Sequence, residues 1–490
     1  MWAEPYRLFN YDSIRDKEMT APGLFWFPSP PASSSSPEYL GPGNSYLGTS
    51  IVVWSPDKRV VYYTLYSDSL LKLYRLDAGT YTSRLVGTFT SQPDLYYAIF
   101  SLDGAYLYFS TDTTLVRVDV STDAILTYAT GYTSGAMAIT PDGSVLFAFN
   151  NTGSSYANSI TRIVTATGVM TTTALPFTVG GGINRNYPDL YPIRITPNGV
   201  WCYALLYQST NYSCATVKIN VATGASTLIT FRGSYVFPAY LLTSFAITPD
   251  SSFVYFSTQP VSGAIKTDIW KLSVASDTFS TIVTLDRTYD GFISPDGLSV
   301  YFPAQFTGSN GYIRMMVSDN SQTRLYTGDY NSYNVYSINS LDNLTKYMIA
   351  STMIIKLTLA TGAFITIPLV SDSHSIPIYS PDNSRIYFTS YNDNSIQNLR
   401  VSDDTVTTQV VGSPMVNSLY VAISPSGAIA YITGWNLDGN YITARMVLAT
   451  GSVTFPTMVP SYDGKMVFSW NDQYLIFWGD VTDGLSKINK

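Results

Sequence analysis

Glutamate is nearly missing from this chain of 490 residues, since only Glu4, Glu18 and Glu38 occur and none follows them. This absence excludes three kinds of active site from residues 39–490: a His–Glu acid/base pair, a Glu-containing metal cage and a paired-Glu glycosidase site. The chain also has a single histidine, His374, in a predicted connection between repeats. A lone histidine there is more often an ordinary loop residue than a catalytic base. We therefore expect no enzyme activity, no metal and no cofactor.

Cysteine is scarce as well, and the two present, Cys202 and Cys214, are too few for a disulfide framework or a zinc site. They stand 12 residues apart in "WCYALLYQSTNYSC", across a predicted hairpin where they could face each other. The first twenty residues carry charges and contain no apolar segment typical of a secretory signal. We therefore expect reduced core cysteines, with a disulfide as the alternative.

Charged residues make up only 12% of the chain, against about 25% in typical soluble proteins. The net charge of -7 and the lack of a basic cluster argue against nucleic acid as a partner, because its phosphates are bound by Lys and Arg. No apolar run approaches the ~18 residues of a membrane span. Hydrophobic residues nevertheless reach 46%, which is ample for a core.

What the chain does contain is a repeated string, first clear as "ITPDG" at 139–143. It occurs in ten units about 45 residues apart, the period of a four-stranded propeller blade. The third residues of the ten strings are Asp57, Asp103, Asp142, Asn198, Asp250, Asp296, Asp342, Asp382, Ser426 and Asp463. A second string, such as "VKINVATG" at 217–224, follows once in most units. The two together predict one repeat architecture.

The string has the composition of a hairpin turn. Pro fixes φ at the first central position, Asp bonds its own backbone, and Gly accepts positive φ. Aromatic and β-branched runs such as "FVYFS" follow it, as expected of strands. No helix follows the glycine, which excludes a phosphate loop, and the alternating acids of a calcium loop are absent.

The strings "AITPDGSVLFAF" and "FISPDGLSVYF", each followed by a strand that ends in "ATG" or a variant, resemble the repeats of YVTN-type and TolB-like β-propellers. The resemblance covers about 47–490. It implies an all-β ring of blades with the strand before the turn innermost. It implies little about activity, since such propellers include surface proteins, translocation partners and some lactone hydrolases.

We therefore expect a β-propeller of about ten four-stranded blades over 47–490, preceded by an extended arm over 1–46. No polar linker divides the ten units, which favours one ring over two smaller propellers. The arm contains the Pro/Ser-rich stretch "FWFPSPPASSSSPEYLGPG". Its aromatic side chains are costly to leave in water, so we expect the arm to dock on its own ring or on a neighbouring subunit through Trp2, Phe9, Phe25 and Trp26. The alternative is a disordered leader.

We expect long connections between the second and third strands at 150–159, 207–213, 304–311, 390–395 and 434–441, and an almost absent one in the seventh unit, at 348–356. The long connections draw on Tyr, Trp, Ser, Asn and Gly, a mixture typical of antibody paratopes. The residues predicted to bind a partner protein or a host glycan are Tyr156, Tyr212, Tyr391, Trp435 and Tyr441. The alternative is that they belong to solvated turns of a Tyr-rich protein without a binding role.

Low charge, little Glu and abundant Tyr, Ser, Thr and Asn are typical of particle-surface β proteins, yet no export signal was found. Assembly inside a cell, followed by release on a particle, reconciles these observations. The leading hypothesis is a virion-associated propeller: a tail, nozzle or fibre protein of a phage or archaeal virus. The alternatives are a lactonase-type propeller enzyme and a cellular surface interaction protein.

Overall fold

The computed structural model is an all-β fold with no helix in the residues that it describes. Those residues are 38–39, 52–55, 59–67, 70–77, 82–90, 98–101, 103–111, 114–129, 132–151, 157–175, 193–208, 213–230, 235–236, 245–260, 267–285, 287–288, 291–306, 309–328, 336–340, 342, 344–349, 352–369, 377–390, 393–424, 426–455, 465–468, 474–478 and 485–489. Within these ranges, nothing has the length and apolarity of a membrane-spanning helix.

The strands form ten sheets, numbered here in chain order, and five of them lie in a compact unit whose main segment is Ser91–Asp329. The sheets are antiparallel meanders whose strands follow chain order, except that sheet 10 takes its last strand from an earlier part of the chain. In sheets 5 and 6 the first strand is in two pieces. Sheet 2 comprises β6 (Ala98–Phe100), β7 (Tyr106–Ser110), β8 (Thr114–Asp119) and β9 (Ile125–Ala129), and sheet 3 comprises β10 (Tyr132–Ile139), β11 (Val145–Asn151), β12 (Ala157–Val164) and β13 (Met170–Ala174). Sheet 4 comprises β14 (Ile193–Ile195), β15 (Trp201–Gln208), β16 (Ser213–Asn220) and β17 (Ser226–Thr230). Sheet 5 comprises β18 (Tyr235–Val236), β19 (Phe245–Ile247), β20 (Phe253–Pro260), β21 (Thr267–Ser273) and β22 (Phe279–Leu285), and sheet 6 comprises β23 (Arg287–Thr288), β24 (Phe292–Ile293), β25 (Ser299–Phe306), β26 (Ser309–Met316) and β27 (Gln322–Gly328).

The other five sheets lie in a second unit, which joins Asp16–Thr90 to Tyr330–Lys490. Sheet 1 comprises β2 (Val52–Trp54), β3 (Val60–Ser67), β4 (Leu70–Asp77) and β5 (Ser83–Phe89), and sheet 7 comprises β28 (Tyr336–Asn339), β29 (Thr345–Ile349), β30 (Met353–Thr358) and β31 (Phe364–Pro368). Sheet 8 comprises β32 (Ile378–Tyr379), β33 (Arg385–Ser390), β34 (Ser395–Arg400) and β35 (Val406–Val410), and sheet 9 comprises β36 (Met415–Ile423), β37 (Ile429–Asn436), β38 (Tyr441–Val447) and β39 (Ser452–Thr454). Sheet 10 comprises β40 (Lys465–Phe468), β41 (Tyr474–Trp478), β42 (Leu485–Asn489) and β1 (Glu38–Tyr39).

Sheet 10 is described only through its strands. Phe468 of β40 pairs with Leu475 of β41, so the connection between them spans 469–473. The predicted turn at Asp463 lies outside the described residues and stays a prediction.

The fourth strand of sheet 10 comes from the segment predicted to be an arm. β1 pairs antiparallel with β42, with Glu38 opposite Lys487 and Tyr39 opposite Ser486. β42 is therefore hydrogen-bonded along both edges, to β41 and to β1. The segment before residue 47 thus contributes a strand to the repeat array.

The recurring string is a hairpin turn, as predicted. In sheet 2, the Ser101 hydroxyl donates to Asp103 Oδ1 at 2.6 Å and accepts from the Tyr106 N–H at 2.9 Å. Asp103 Oδ1 also accepts from the Ala105 N–H at 3.0 Å, and Gly104 has φ of 70°. Serine, aspartate and glycine therefore each have a defined part in turning the chain.

The core lies between consecutive sheets. In β20, Val254, Tyr255 and Phe256 are all fully buried, so both faces of this strand are covered. Fourth strands are different: in β13 only Thr173 is partly buried. The second strands consequently read as continuous apolar runs, while the fourth strands are rich in exposed threonine.

The turns of neighbouring sheets also pack on each other within the first unit. The Asn198 N–H donates to Ser251 Oγ at 3.1 Å. A Cβ atom at Gly297, whose φ is 72°, would lie 3.0 Å from Pro249 Cδ. Proline of one sheet therefore packs closely on the glycine of the following sheet.

Candidate binding surface

Two of the five residues predicted to bind a partner, Trp435 and Tyr441, lie in the described part of the chain, and they pair with each other across β37 and β38. The remaining predictions fall outside the described residues and are untested: Tyr156, Tyr212, Tyr391, Trp2, Phe9, Phe25, Trp26 and His374. Trp435 is half-buried at the end of β37. The sheet thus brings Trp435 and Tyr441 together at the base of one hairpin.

The connections between second and third strands are shorter than predicted. The segment 304–311 was expected to be a loop, but Phe306 pairs with Ser309, which leaves only two connecting residues. Likewise, 434–436 and 441 belong to strands, so the connection in sheet 9 is 437–440. Aromatic and β-branched residues suit a paired, half-buried surface, and pairing satisfies their backbone groups. The connection at 350–352 in sheet 7 is short, as predicted.

One residue of these connections is buried between two sheets. In sheet 8, the Asn394 side chain is buried, and its Nδ2 donates to the carbonyl oxygens of Gly412, at 3.0 Å, and of Met415. Its Oδ1 accepts from the Ser418 hydroxyl at 2.8 Å. Part of the predicted binding loop 390–395 therefore fixes sheet 8 to sheet 9.

The sheet 9 hairpin is the best-defined exposed connection. The Asn436 N–H donates to the Asn440 carbonyl at 2.8 Å, and Asn436 Oδ1 accepts from the N–H groups of Asp438, at 3.0 Å, and of Asn440, at 2.8 Å. Leu437 at the tip has 84% of its surface exposed. This geometry presents an apolar side chain on a closed turn.

A regular array of basic residues, which the sequence analysis missed, recurs on the third strands. In nine of the ten sheets, a Lys or Arg of the third strand stands opposite one position of the second strand, and that position is aromatic in eight of these nine. The pairs are Tyr62–Arg75, Tyr108–Arg117, Phe147–Arg162, Tyr203–Lys218, Tyr255–Lys271, Tyr301–Arg314, Tyr347–Lys356, Tyr431–Arg445 and Ile476–Lys487. Five of these basic residues donate to the following sheet of the same unit, and we call them seam cations: Arg117, Arg162, Lys218, Lys271 and Lys356. A seam is the layer between two consecutive sheets of one unit.

Seam cations donate to the turn between the third and fourth strands of the following sheet. The carbonyl bonds are Arg117 Nη1 to Thr165 (2.8 Å), Arg162 Nε to Val221 (2.6 Å), Lys218 Nζ to Val274 (2.6 Å) and Lys271 Nζ to Val317 (2.7 Å). The N–H of each accepting residue bonds a carbonyl of its own sheet's first turn, as Val274 does to Ser252 at 2.9 Å. Each such bond therefore ties one sheet to both turns of the next.

The cation type follows the residue with positive φ in the turn that it contacts. Opposite Arg117 and Arg162 that residue is glycine, at 168 and 224. Opposite Lys218, Lys271 and Lys356 it is Asp277, Asn320 and Asp404, and each accepts from the lysine at 2.6–3.0 Å. A compact ammonium has three donors and can bond a carbonyl and a side chain together, while the larger guanidinium suits a turn without a side chain.

Sheet 8 departs from this pattern because Asn398 stands opposite Tyr387. The Asn398 side chain accepts from Arg385 Nη1 at 2.5 Å. Gln409 of the fourth strand donates instead to the Leu448 carbonyl of sheet 9, at 3.0 Å. A neutral amide therefore makes the contact that a seam cation makes elsewhere.

Local hydrogen bonds favour the ionised form of several turn aspartates. Hydrogen bonds from the Thr140 hydroxyl and the Ser144 N–H lower the pKa of Asp142, and the Ser380 hydroxyl and the Ser384 N–H do the same for Asp382. A general acid or base at neutral pH needs a carboxyl pKa shifted upward. These carboxylates are therefore suited to fixing turns.

Buried lysines respond to the charge of their acceptor. Burial lowers the pKa of Lys271, whose side-chain acceptor is the neutral Asn320. Burial also disfavours charged Lys356, but its hydrogen bond to Asp404 raises the pKa overall. Within the described residues, no group of three His, Cys, Asp or Glu side chains is placed to hold a metal ion.

The register separates the two cysteines. Cys202 pairs with Ile219 and Cys214 pairs with Tyr207, so the two are offset by five positions along the hairpin, or about 17 Å. A disulfide needs Cα atoms within about 7 Å. Cys202 is a buried free thiol whose pKa burial raises, which agrees with the expected reduced state.

No known family model matches the chain, and no curated protein matches its sequence. Among solved structures, Porphyromonas gingivalis dipeptidyl peptidase 4 is similar over 82% of this chain and 65% of its own, with a TM-score of 0.50 and 9% identity. A eukaryotic initiation factor (79% of this chain, 96% of its own, 14% identity, TM-score 0.48) and the Dos1 propeller (71%, 90%, 13%, 0.43) are more distant and carry no argument. At this identity the likeness is one of fold, and with the four-stranded meanders it identifies a β-propeller.

Proposed function

We propose that this chain is a non-enzymatic propeller of YVTN-type, TolB-like repeats that serves in the assembly or host attachment of a virus particle. The repeats are proposed from the "SPDG" and "ATG" strings together with the turn bonds at Ser101 and Asp103. The chain would be made in the cytoplasm and carried on the particle surface. Its partners would be other virion proteins and a host protein or glycan.

A binding role without catalysis is supported by the chemistry of the acidic residues. Glutamate is absent after Glu38, and the turn aspartates are held ionised by local hydrogen bonds, as at Asp142 and Asp382. Seam cations are committed to carbonyl groups of the adjacent sheet, as Lys218 is to Val274. The common ionisable groups thus have structural tasks.

The single observation that carries the binding proposal is the sheet 9 hairpin. It presents Leu437 almost fully to solvent beside the half-buried Trp435. A rigid turn with exposed apolar area loses little freedom on binding. Such a connection is suited to contact another surface.

The test is to purify particles from the source culture on a density gradient and to detect this chain with an antibody. The chain should migrate with the capsid protein and label the particle surface in immunogold images. If the chain migrates with soluble or membrane fractions and the particles carry none of it, the virion role is contradicted. The triple variant Tyr212→Ala, Tyr391→Ala, Trp435→Ala should lose attachment or assembly while its thermal midpoint changes by no more than a few degrees; unchanged attachment would assign these residues to ordinary turns.

A further inference from the structure

Leu437 stands apart from the other apolar side chains of the described residues. Its exposed fraction is 84%, whereas the next most exposed large hydrophobic residue, Val410, reaches 65% on an outer strand. Single exposed leucines are common on protein surfaces, so exposure alone identifies no site. The geometry of the surrounding hairpin is the further observation.

The turn that presents Leu437 is fixed in one conformation. Three hydrogen bonds converge on Asn436: its N–H donates to the Asn440 carbonyl, and its Oδ1 accepts from Asp438 and Asn440. The Gly439 N–H closes the turn on the Asn436 carbonyl at 3.0 Å, and the φ of Gly439 is 75°. Leu437 is therefore held outward before any partner arrives, which lowers the entropic cost of binding.

The charge around the tip has one sign. Asp438 is exposed next to Leu437, and the hairpin 434–441 contains no Lys or Arg. A partner surface that buries Leu437 therefore brings its own groups close to a carboxylate. A basic side chain beside an apolar socket complements this arrangement, and an acidic one opposes it.

We infer that Leu437 is the anchor of a protein-docking site, and that the occupant is a protein surface with an apolar socket bordered by Lys or Arg. This inference rests on the proposed function and assigns the partner class for that function. A protruding leucine has no hydrogen-bonding group and no aromatic face, so it gains nothing specific from a sugar. An apolar socket removes the leucine surface from water, which stabilises the complex. Because the turn is already formed, little of that stabilisation is lost to ordering the hairpin.

The first experiment compares two leucines in the full-length chain. Leu437→Asn replaces the anchor by a polar side chain of similar size, and the matched control is Leu298→Asn, at a leucine that is 57% exposed on a first turn of sheet 6. Labelled wild type and variants are titrated onto intact cells and onto gradient-purified particles from the source culture. We expect Leu437→Asn to weaken binding at least about tenfold and Leu437→Met to retain it, whereas Leu298→Asn matches wild type. Equal binding by Leu437→Asn and wild type would overturn the inference.

A second variant tests the preformed turn. A Cβ atom at Gly439 would meet nothing within 4 Å, so Gly439→Ala disturbs only the backbone conformation. It should weaken binding by slowing association, while the thermal midpoint falls no more than it does in Gly451→Ala, whose glycine has a similar positive φ and equally open space. Binding kinetics identical to wild type would contradict the role of the rigid turn.

The third experiment identifies the partner class on the surface that wild type binds. Mild protease treatment of that surface should abolish binding, and periodate oxidation of its glycans should leave binding intact. Asp438→Lys should weaken binding at low salt more than at high salt. Binding that is lost with periodate but survives protease would overturn the inference and leave the virion role standing. A chain that migrates with particles but binds neither cells nor particles would also overturn it, whereas failure to migrate with particles counts against the proposed function itself.

Discussion

The Lys218 Nζ atom lies 2.6 Å from the carbonyl oxygen of Val274, although 56 residues separate the two in sequence. The same ammonium lies 2.6 Å from Asp277 Oδ1, and its charge sits 4.1 Å from the centre of the Trp201 ring. One buried cation therefore joins the third strand of sheet 4 to the last turn of sheet 5. Related contacts recur in other seams of each unit.

Replacing Lys218 should weaken the contact between sheets 4 and 5 and lower the stability of the protein. Lys218→Met keeps an apolar stem of similar length but leaves the Val274 carbonyl and Asp277 without their donor. We expect the free energy of unfolding to fall by about 2–4 kcal/mol, measured by urea denaturation. The control is Arg400→Met, which removes an ion pair with Asp403 whose two side chains are both more than 40% exposed, and which should leave the midpoint unchanged. Equal effects of the two variants would contradict the structural role of the seam cation.

The turn carboxylates predict loss of stability in acid. The folded pKa of Asp142 and of Asp382 lies below the ordinary value of 3.8 because hydroxyl and N–H donors favour the ionised form. A depressed folded pKa contributes stability that is present above 3.8 and is lost as pH falls through the folded value. The variant Asp142→Asn, Asp382→Asn should therefore show a shallower decrease of stability below about pH 4.

Asn198 is the natural precedent for this double variant. Its Oδ1 accepts from the Thr196 hydroxyl at 2.7 Å and from the Val200 N–H at 3.1 Å, the same bonds that the aspartates make. Stability at pH 7 should consequently change little in the double variant. If the double variant unfolds in acid with the same profile as wild type, groups other than Asp142 and Asp382 cause the loss of stability.

Substitutions at two glycines distinguish the cost of backbone strain from the cost of a steric clash. Gly297 and Gly451 have φ of 72° and 70°, but a Cβ at Gly297 would press on Pro249, while one at Gly451 would meet nothing within 4 Å. Gly451→Ala should cost about 1–2 kcal/mol for the left-handed backbone alone. Gly297→Ala should cost at least about 1 kcal/mol more, because Pro249 must move. Equal denaturation midpoints for Gly451→Ala and Gly297→Ala would show that Pro249 moves aside at no cost.

The cysteines should be unreactive and unlinked. Cys202 is fully buried with a raised pKa, so little thiolate forms, and Cys214 lies too far along the hairpin to pair with it. Alkylation of the native protein should leave Cys202 unmodified, and unfolding in urea should expose it. A peptide linked through residues 202 and 214 in a non-reducing digest would contradict the register of β15 and β16.

The sequence was sufficient for the repeat, because its turn chemistry is local. Ser101, Asp103 and Gly104 bond within six residues, and the same types at the same spacing predict the same hairpin wherever they recur. The turns at Asp57 and Asp463 lie outside the described residues and stay predictions.

Contacts between sheets could not be predicted in the same way, since they join residues about 50 apart. The sequence shows a basic residue four positions before "ATG" in "KINVATG" and "RIVTATG". Its acceptor, however, lies in the next repeat, as Val221 does for Arg162. Loop lengths were overestimated because Tyr, Trp, Ser and Asn were read as exposed, while Trp435 and Asn394 are partly or fully buried. Pairing and burial decide these cases, and both depend on the neighbouring strand.

The pairing of Glu38–Tyr39 with β42 constrains the order in which the sheets can form during synthesis. About 450 residues separate the two strands, so at ordinary rates the ribosome takes about 20–90 s between them. Sheets 2 to 6 are complete in the emerging chain long before, while the earliest described strand still lacks its partner. Closure of sheet 10 therefore follows synthesis of β42. A message truncated before the codon of Leu485 would yield a chain whose other sheets can form but whose first strand has nothing to join.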